Sequence, residues 1–168
     1  MGIVDYDDGT RIIENVPLCN QGNTGTCAQA CVTSILNYWG NNINYNELIT
    51  ETVNQNVGAG MSIDRIVWYF RRYNLQAKAF KGNMSNLKGL IDRGFPCIVG
   101  FDEGSVQHVV VVVGYNDYRE VIFYNDSMYG ELTEEPYSDF IRAWNRQRLN
   151  AGTIDGLSFT NLIIQVNP

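Results

Sequence analysis

The chain has 168 residues, of which 45% are hydrophobic and 18% are charged. That length fits one domain, and the apolar fraction is large enough to offset chain entropy, which excludes a wholly disordered protein. The net charge is -6 and the only adjacent basic pair is Arg71-Arg72, so a phosphate backbone would be repelled and we expect no nucleic-acid partner. The sequence therefore predicts a single globular domain over residues 1–168.

Apolar stretches in this sequence are short. The longest are residues 95–101 and 109–113, whereas ~20 residues are needed to cross a bilayer, so we expect no membrane span. The N-terminal residues lack the basic start and apolar middle of a signal peptide, so any such segment was removed or never existed. The 19 Asn against only three Lys favour a bacterial protein that is exported or held in the cell envelope over a cytoplasmic one.

Four cysteines, at positions 19, 27, 31 and 97, are too few for a dense disulfide framework. Cys27 and Cys31 lie on one face of a predicted helix, where a local disulfide is poorly placed, so disulfides have at most a minor role. A zinc site built from Cys27, Cys31 and His108 would lack the second ligand pair that such sites use. We therefore expect neither a metal ion nor another cofactor.

The first half of the chain has the spacing of amphipathic helices. Residues 26–39 carry apolar side chains every three or four positions, which predicts a helix capped by Thr24 or Thr26 and ended by Gly40. Three more helices are predicted in this half, so that helices fill it: residues 46–54, one that follows the cap Ser62, and one from the cap Ser85 to Arg93.

After Pro96 the sequence becomes rich in β-branched and aromatic residues separated by turn residues. The short connection at residues 116–119 predicts a hairpin. A last helix over residues 137–144, capped by Ser138, precedes the final strand. Helices followed by an antiparallel sheet indicate an α+β fold whose two halves pack as lobes of one domain. The predicted strands are residues 97–101, 107–115, 120–124 and 157–166.

Cys27 lies at the predicted start of the first helix, where free backbone N–H groups and the positive end of the helix dipole favour a thiolate over a thiol. A thiolate nucleophile needs a base that can return a proton to the leaving group, and His108 is the only histidine. It stands at the start of a strand, from which it can reach a cleft. Each residue also has a structural interpretation, Cys27 as a small buried apolar residue and His108 as a structural or surface histidine.

Two further residues complete this chemistry. Asp126 follows His108 after the hairpin and one strand, and it can orient the imidazole. Asn125 is the alternative orienting residue, but side chains alternate along a strand, so Asp126 and Asn125 point to opposite faces and only one of them can orient the ring. A third interpretation is that these residues only form a turn. Gln21, in the loop before Cys27, can donate its side-chain amide to an oxyanion together with a backbone N–H, although by itself it is an ordinary loop residue.

The order glutamine, cysteine, histidine, aspartate, together with the local sequence, resembles a known family. Residues 21–40 resemble the active-site helix of papain-like cysteine peptidases related to the bacteriocin leader-processing, or double-glycine, peptidases. Residues 108–115 and 121–126 resemble that family's histidine strand, hairpin and aspartate, and residues 137–144 the helix that commonly follows. The resemblance covers about residues 21–144, and the combination is more specific than any one part.

The resemblance implies a papain-like α+β fold, with an N-terminal helical lobe carrying the nucleophile helix packed on a C-terminal antiparallel sheet. It implies hydrolysis of peptide bonds through a thioester, with a peptide or protein as substrate. Carried over residue by residue, it implies Cys27 as nucleophile, His108 as general base and acid, Asp126 as orienting residue and Gln21 as oxyanion donor.

Two positions depart from the family pattern. Ala28 stands where Gly usually follows the nucleophile; a helix tolerates this alanine, although its methyl group is expected to narrow the cleft beside the thiolate. Ser127 stands where Pro usually follows the aspartate, which loosens the turn after Asp126. Neither change removes a reacting group. The chain has neither a membrane region nor the phosphate-binding loop of an ATPase, so it resembles the stand-alone branch of the family or a piece of a larger protein.

Two other functions are compatible with these residues. The same triad serves an amidase acting on cell-wall peptides or an acyltransferase, because fold and triad do not fix the substrate. A catalytically silent peptide-binding module is the third hypothesis. Substrate profiling separates a peptidase from the first alternative, and a thiol-reactive probe separates both from the silent module.

Overall fold

A computed structural model describes residues 2–20, 25–53, 61–102, 107–145 and 160–168. Its five helices are α1 (Cys27–Tyr38), α2 (Tyr45–Val53), α3 (Ile63–Arg72), α4 (Met84–Asp92) and α5 (Tyr137–Asn145). Its eight strands are β1 (Ile3–Asp5), β2 (Arg11–Ile13), β3 (Gln76–Lys81), β4 (Cys97–Asp102), β5 (Gln107–Asn116), β6 (Val121–Asp126), β7 (Glu131–Pro136) and β8 (Leu162–Asn167). Among these described helices, none has the length and apolar character that crossing a bilayer requires.

The eight strands form one sheet in which every pair of neighbours is antiparallel. The order along the sheet is β1-β2-β5-β4-β8-β3, and β6 and then β7 extend it from the other edge of β5. The predicted hairpin between β5 and β6 is confirmed, since Asn116 pairs with Val121. The α+β fold with an antiparallel sheet is likewise confirmed.

Helices cover both faces of the sheet, which explains the uninterrupted run of valines in β5. Val109, Val111 and Val113 belong to one buried cluster, together with apolar residues of α1, α2 and α3. Val110 and Val112 point to the other face and join a second cluster with residues of α4 and α5. Because alternate side chains of a strand point to opposite faces, a strand covered on both sides must be apolar at every position.

One glycine in β5 allows a close approach of two strands. Gly114 pairs with Ile12 of β2, and a Cβ atom at position 114 would lie 2.6 Å from the carbonyl oxygen of Arg11. Any other residue would therefore push β2 away from the sheet. The register between β5 and β6 also shifts between Val112 and Gly114, which marks an irregularity at the same place.

The expectation that helices fill the first half of the chain is wrong, because β1, β2 and β3 all lie there. The first two are only three residues long, and β3 alternates polar residues with alanines, so none has a strong strand signal. The acidic strand β7 was not predicted either. Glu131 to Pro136 form it because the adjacent edge of β6 is free to pair.

Two predicted helix caps are also wrong. Asn83, not Ser85, caps α4, in a reciprocal arrangement in which the side chains of Asn83 and Asn86 each accept from the other's backbone N–H. Helix α5 begins at Tyr137, which places Ser138 inside its first turn. The Ser62 cap is confirmed, since its side chain accepts from the Arg65 N–H. The last strand begins at Leu162, while residues 157–159 of its predicted range lie outside the described residues.

Candidate active site

Cys27 is the first residue of α1 and is only partly buried. Its own backbone N–H precedes the first bond of the helix, so it has no partner within the helix. One turn later, the Cys31 thiol donates to the Val109 carbonyl over 3.5 Å, which fixes the first turn of α1 against the start of β5. The chain fold therefore places an accessible thiol at the positive end of a helix and beside the strand that carries His108.

Thr26 occupies the N-cap position of α1, but its side chain makes no capping hydrogen bond. Instead, its hydroxyl is hydrogen-bonded to the hydroxyl of Tyr45, the first residue of α2. A second buried link joins the same helices, from the Gln29 amide to the Thr52 hydroxyl over 3.2 Å. The start of α1 is thus held by α2. Sequence reasoning missed Tyr45, because only the fold brings α2 beside the helix start.

His108 lies at the start of β5 and is 1% exposed. Its Nε2 lies 2.7 Å from Asp126 Oδ1, so with the aspartate ionised Nε2 is protonated and donates the hydrogen bond. The other ring nitrogen, Nδ1, is buried and has no hydrogen-bond partner within the described residues. The ring is therefore fixed on one side by a carboxylate and left available on the other.

The surroundings of His108 shift the pKa of its imidazole in opposing directions. Burial alone lowers that pKa, because it penalises the imidazolium. The hydrogen bond and charge interaction with Asp126, together with the interaction with Cys27, raise it further than burial lowers it, and the balance raises the pKa of His108 to about 10. Cys27 therefore interacts with the ring, and the raised pKa favours the protonated form of His108 at neutral pH.

Asp126 is the last residue of β6, and its carboxylate is held from a second direction. Oδ1 accepts from the backbone N–H of Met128 over 3.0 Å as well as from His108, a contact that sequence reasoning did not identify. Asn125 points elsewhere, since its amide donates to the Val16 carbonyl at 3.4 Å. The structure thus pairs His108 with Asp126 and not with Asn125, and both residues lie in the strand rather than in a turn.

The other three cysteines differ from Cys27 in their surroundings. All four thiols are free, and Cys31 and Cys97 are fully buried. Burial raises the pKa of the Cys31 thiol well above its usual value and the pKa of the Cys97 thiol to about 12. Burial also raises the pKa of the half-buried Cys19 thiol. The structural interpretation of Cys31 as a buried apolar residue is consistent with this environment.

Gln21, the fourth residue of the predicted set, lies outside the described residues. Ala28 and Ser127, which depart from the family pattern, are both described. Ala28 is 5% exposed and its methyl group packs in the cluster beneath α1. Ser127 is 4% exposed and directly follows β6. Both substitutions are therefore accommodated in the interior next to the reacting groups.

Comparison with known families gives one match over most of the chain. The sequence model of the Peptidase_C39 like family matches residues 13–151, a range that includes Cys27, His108 and Asp126. No curated protein matches the sequence.

Solved structures with a similar fold include peptidase domains of transporters. That of Streptococcus ComA, a bifunctional ABC transporter involved in quorum sensing, is 20% identical, with a TM-score of 0.70 over 92% of this chain and 99% of that chain. A double glycine motif protease from an AMS/PCAT transporter, solved in complex with the leader peptide, is 20% identical, with a TM-score of 0.67 over 100% of this chain and 99% of that chain. The peptidase domain of Streptococcus mutans ComA is 20% identical, with a TM-score of 0.58, and covers 90% of this chain and 98% of that chain. These similarities confirm the papain-like α+β fold.

Proposed function

Because the chain belongs to the Peptidase_C39 like family and is a cysteine peptidase, we propose that it cleaves a peptide bond with Cys27 as the nucleophile. His108 acts as general base and acid, and Asp126 orients its ring. The observation that carries this assignment is the buried hydrogen bond of 2.7 Å between Asp126 and His108, whose imidazole ring also interacts with Cys27. A buried, charge-assisted pair of this kind fixes both the tautomer and the direction of the imidazole.

The reaction proceeds in two steps. The Cys27 thiolate attacks the carbonyl carbon of the scissile bond, and His108 gives the proton on Nδ1 to the departing amine, which leaves a thioester. His108 then takes a proton from a water molecule, whose oxygen attacks the thioester and releases the acid and the Cys27 thiolate, so that the proton stays on His108 for the next cycle. Nδ1 is the nitrogen that exchanges the proton, since Asp126 occupies Nε2.

Each tetrahedral intermediate carries an oxyanion that needs hydrogen-bond donors. The backbone N–H of Cys27 is one donor, because the first residue of a helix has no internal partner for that group. The side-chain amide of Gln21 is the second, by resemblance to the family. Gln21→Ala should then lower kcat by ~100- to 1000-fold at similar KM. An effect confined to KM would remove Gln21 from this role.

The substrate is proposed to be a peptide with a double-glycine leader. The AMS/PCAT relative is named as a double glycine motif protease and was solved with the leader peptide. Two glycines at the cleavage site present a backbone without side chains, which can approach a thiol at the start of a helix closely.

The test compares a leader peptide ending in Gly-Gly with the same peptide ending in Ala-Ala. We expect cleavage after the second glycine and at least about a tenfold lower kcat/KM for the alanine peptide. Cys27→Ser should abolish cleavage, whereas Cys19→Ser, the matched control, should retain it. Equal cleavage of the two peptides would refute the leader substrate but leave the catalytic residues in place.

The same experiment separates hydrolysis from acyl transfer. The thioester can be resolved by water or by an amine, and mass spectrometry of the leader fragment identifies the acceptor. A free carboxylate supports the peptidase. An amide formed with an added amine, or release from a small cell-wall amide only, would instead support the acyltransferase or amidase.

A further inference from the structure

A concave surface lies away from the candidate active site. It is a pocket of about 550 Å³ at the ends of β3 and β8, which we call the basic pocket. Among the described residues that line it there are three cations and no acidic side chain. Its polar lining consists of Arg71, Lys78, Arg93, Gln76, Gln165 and Asn167.

The charge of this pocket is not balanced by neighbouring residues. Five cations elsewhere in the described chain form ion pairs: Arg11 with Asp5 and Asp92, Arg72 with Glu51, Lys88 with Asp117, Arg119 with Asp8 and Glu134, and Arg142 with Asp139. Arg71, Lys78 and Arg93 form no such pair within the described residues. In a chain of net charge -6, three unpaired cations around one cavity are a local excess of positive charge.

Neutral groups hold these cations in place. The Arg71 guanidinium donates twice to the Ala77 carbonyl, from Nε over 3.2 Å and from Nη2 over 2.8 Å. The Arg93 guanidinium lies 4.5 Å from the centre of the Phe95 ring. Both contacts orient a guanidinium without neutralising its charge, and both leave N–H groups for another acceptor.

The fold brings the pocket together from several elements. In the antiparallel pair of β3 and β8, Gln76 is opposite Asn167 and Lys78 is opposite Gln165, so these four side chains share one face. Arg71 reaches the edge of β3 from α3, and Arg93 follows α4 directly. Cations and amides therefore converge from α3, α4, β3 and β8.

We propose that the basic pocket binds a small anion that carries two or more acid groups, either phosphates or carboxylates. Guanidinium groups bind oxygen pairs of both kinds, and the amides of Gln76 and Gln165 supply further hydrogen bonds. The volume exceeds what one phosphate fills, and three cations can neutralise more than one negative charge. The ligand class is thus a compact polyanion rather than a single monovalent ion.

The basic pocket is separate from the candidate active site. His108 pairs with Phe101 near the end of β4, and the registers of β4, β8 and β3 place Gln76 and Asn167 at the opposite end of the sheet. A six-residue strand spans about 20 Å. Binding to the pocket therefore does not require Cys27, and it can be measured without any peptidase assay.

The test is calorimetric titration of the whole chain with pyrophosphate, citrate and acetate at low salt. We expect pyrophosphate or citrate to bind and acetate not to bind. Lys78→Gln and Arg93→Gln should each weaken Kd roughly tenfold or more, since each removes a charge-assisted hydrogen bond. Lys81→Gln is the matched control, because Lys81 is exposed on the same strand, forms no ion pair within the described chain and does not line the pocket.

The outcomes discriminate clearly. Tighter binding of pyrophosphate assigns a phosphate ligand, and tighter binding of citrate a carboxylate ligand. Absence of binding by both anions would overturn the proposal, as would equal weakening by Lys81→Gln and Lys78→Gln. The Cys27→Ser variant should bind the same anion with unchanged Kd. A failure of the peptidase assignment and a failure of the anion site can therefore be told apart.

Discussion

In the proposed mechanism, both steps depend on the imidazole ring of His108. His108→Ala should abolish peptide cleavage, because no other group within the described site can return a proton to the leaving amine. The variant should still fold, with reduced stability, since Asp126 keeps its hydrogen bond from Met128 N–H while losing the imidazole. Peptide cleavage and circular dichroism measured on the same preparation check both statements. Cleavage at the normal rate would contradict the catalytic role.

The reactivity of the four thiols provides a second test of the proposed catalytic residues. A limiting amount of iodoacetamide near neutral pH should label Cys27 first, because it is accessible and faces His108. Cys31 and Cys97 are buried, and burial raises the pKa of both thiols. Peptide mapping by mass spectrometry identifies the labelled residue.

The control for this labelling is the His108→Ala variant, in which Cys27 should react more slowly because its imidazolium partner is gone. Cys19 is the matched internal reference, being only half-buried. Equal labelling of Cys19 and Cys27, unchanged by the histidine substitution, would contradict the proposed activation of Cys27 by His108.

Among the helices, α4 gives a prediction that separates two candidate caps. Asn83→Ala should lower the free energy of unfolding by about 1 kcal/mol, because it removes the side chain that accepts from the Asn86 N–H. Ser85→Ala should change it by less than about 0.5 kcal/mol, since Ser85 is exposed inside the first turn. Urea unfolding of the two variants measures both values. A larger loss at Ser85 would reverse the assignment.

Helices and central strands were predictable from sequence because their signals are local. The apolar spacing of α1 and the valines of β5 each identify an element without reference to the rest of the chain. Strands β1 and β7 were not predictable in this way. They are short or polar, and they exist because a neighbouring strand offers unpaired backbone groups.

The candidate site likewise has residues that the sequence predicts and residues that only the fold reveals. Residue chemistry and chain order suggested Cys27, His108 and Asp126, and the structure brings these three together. Tyr45 was missed, because its contact with Thr26 joins two helices whose packing no local pattern reveals. Long-range contacts are the part of a site that single-sequence reasoning does not supply.

For the molecule as a whole, the buried pair of His108 and Asp126 makes the free energy of unfolding depend on pH. The pKa of His108 is raised from 6.5 to about 10 in the folded chain, so the folded state holds the proton more tightly than the unfolded state. The resulting stability is fully present below pH 6.5 and is lost as the pH rises towards 10. Urea midpoints should therefore fall between about pH 6.5 and 7.5, below the reference thiol pKa of ~8.5 and the tyrosine pKa of ~10.

Asp126→Asn is the control for this pH dependence. It retains a side chain of the same shape but removes the negative charge that raises the pKa of His108. The slope of the urea midpoint against pH should become smaller in the variant over the same range. An identical slope would assign the pH dependence to other groups.

The position of β8 has a consequence for the order in which the protein is made. This strand is the last of the described chain, yet it lies between β4 and β3, with Ile164 opposite both Ile98 and Ala79. Until residues 162–167 have been synthesised, β3 has no neighbour in the sheet and its edge stays open. A nascent chain that already contains Cys27, His108 and Asp126 thus lacks the strand that closes its sheet. We therefore expect the complete sheet to form only after residues 162–167 have been translated.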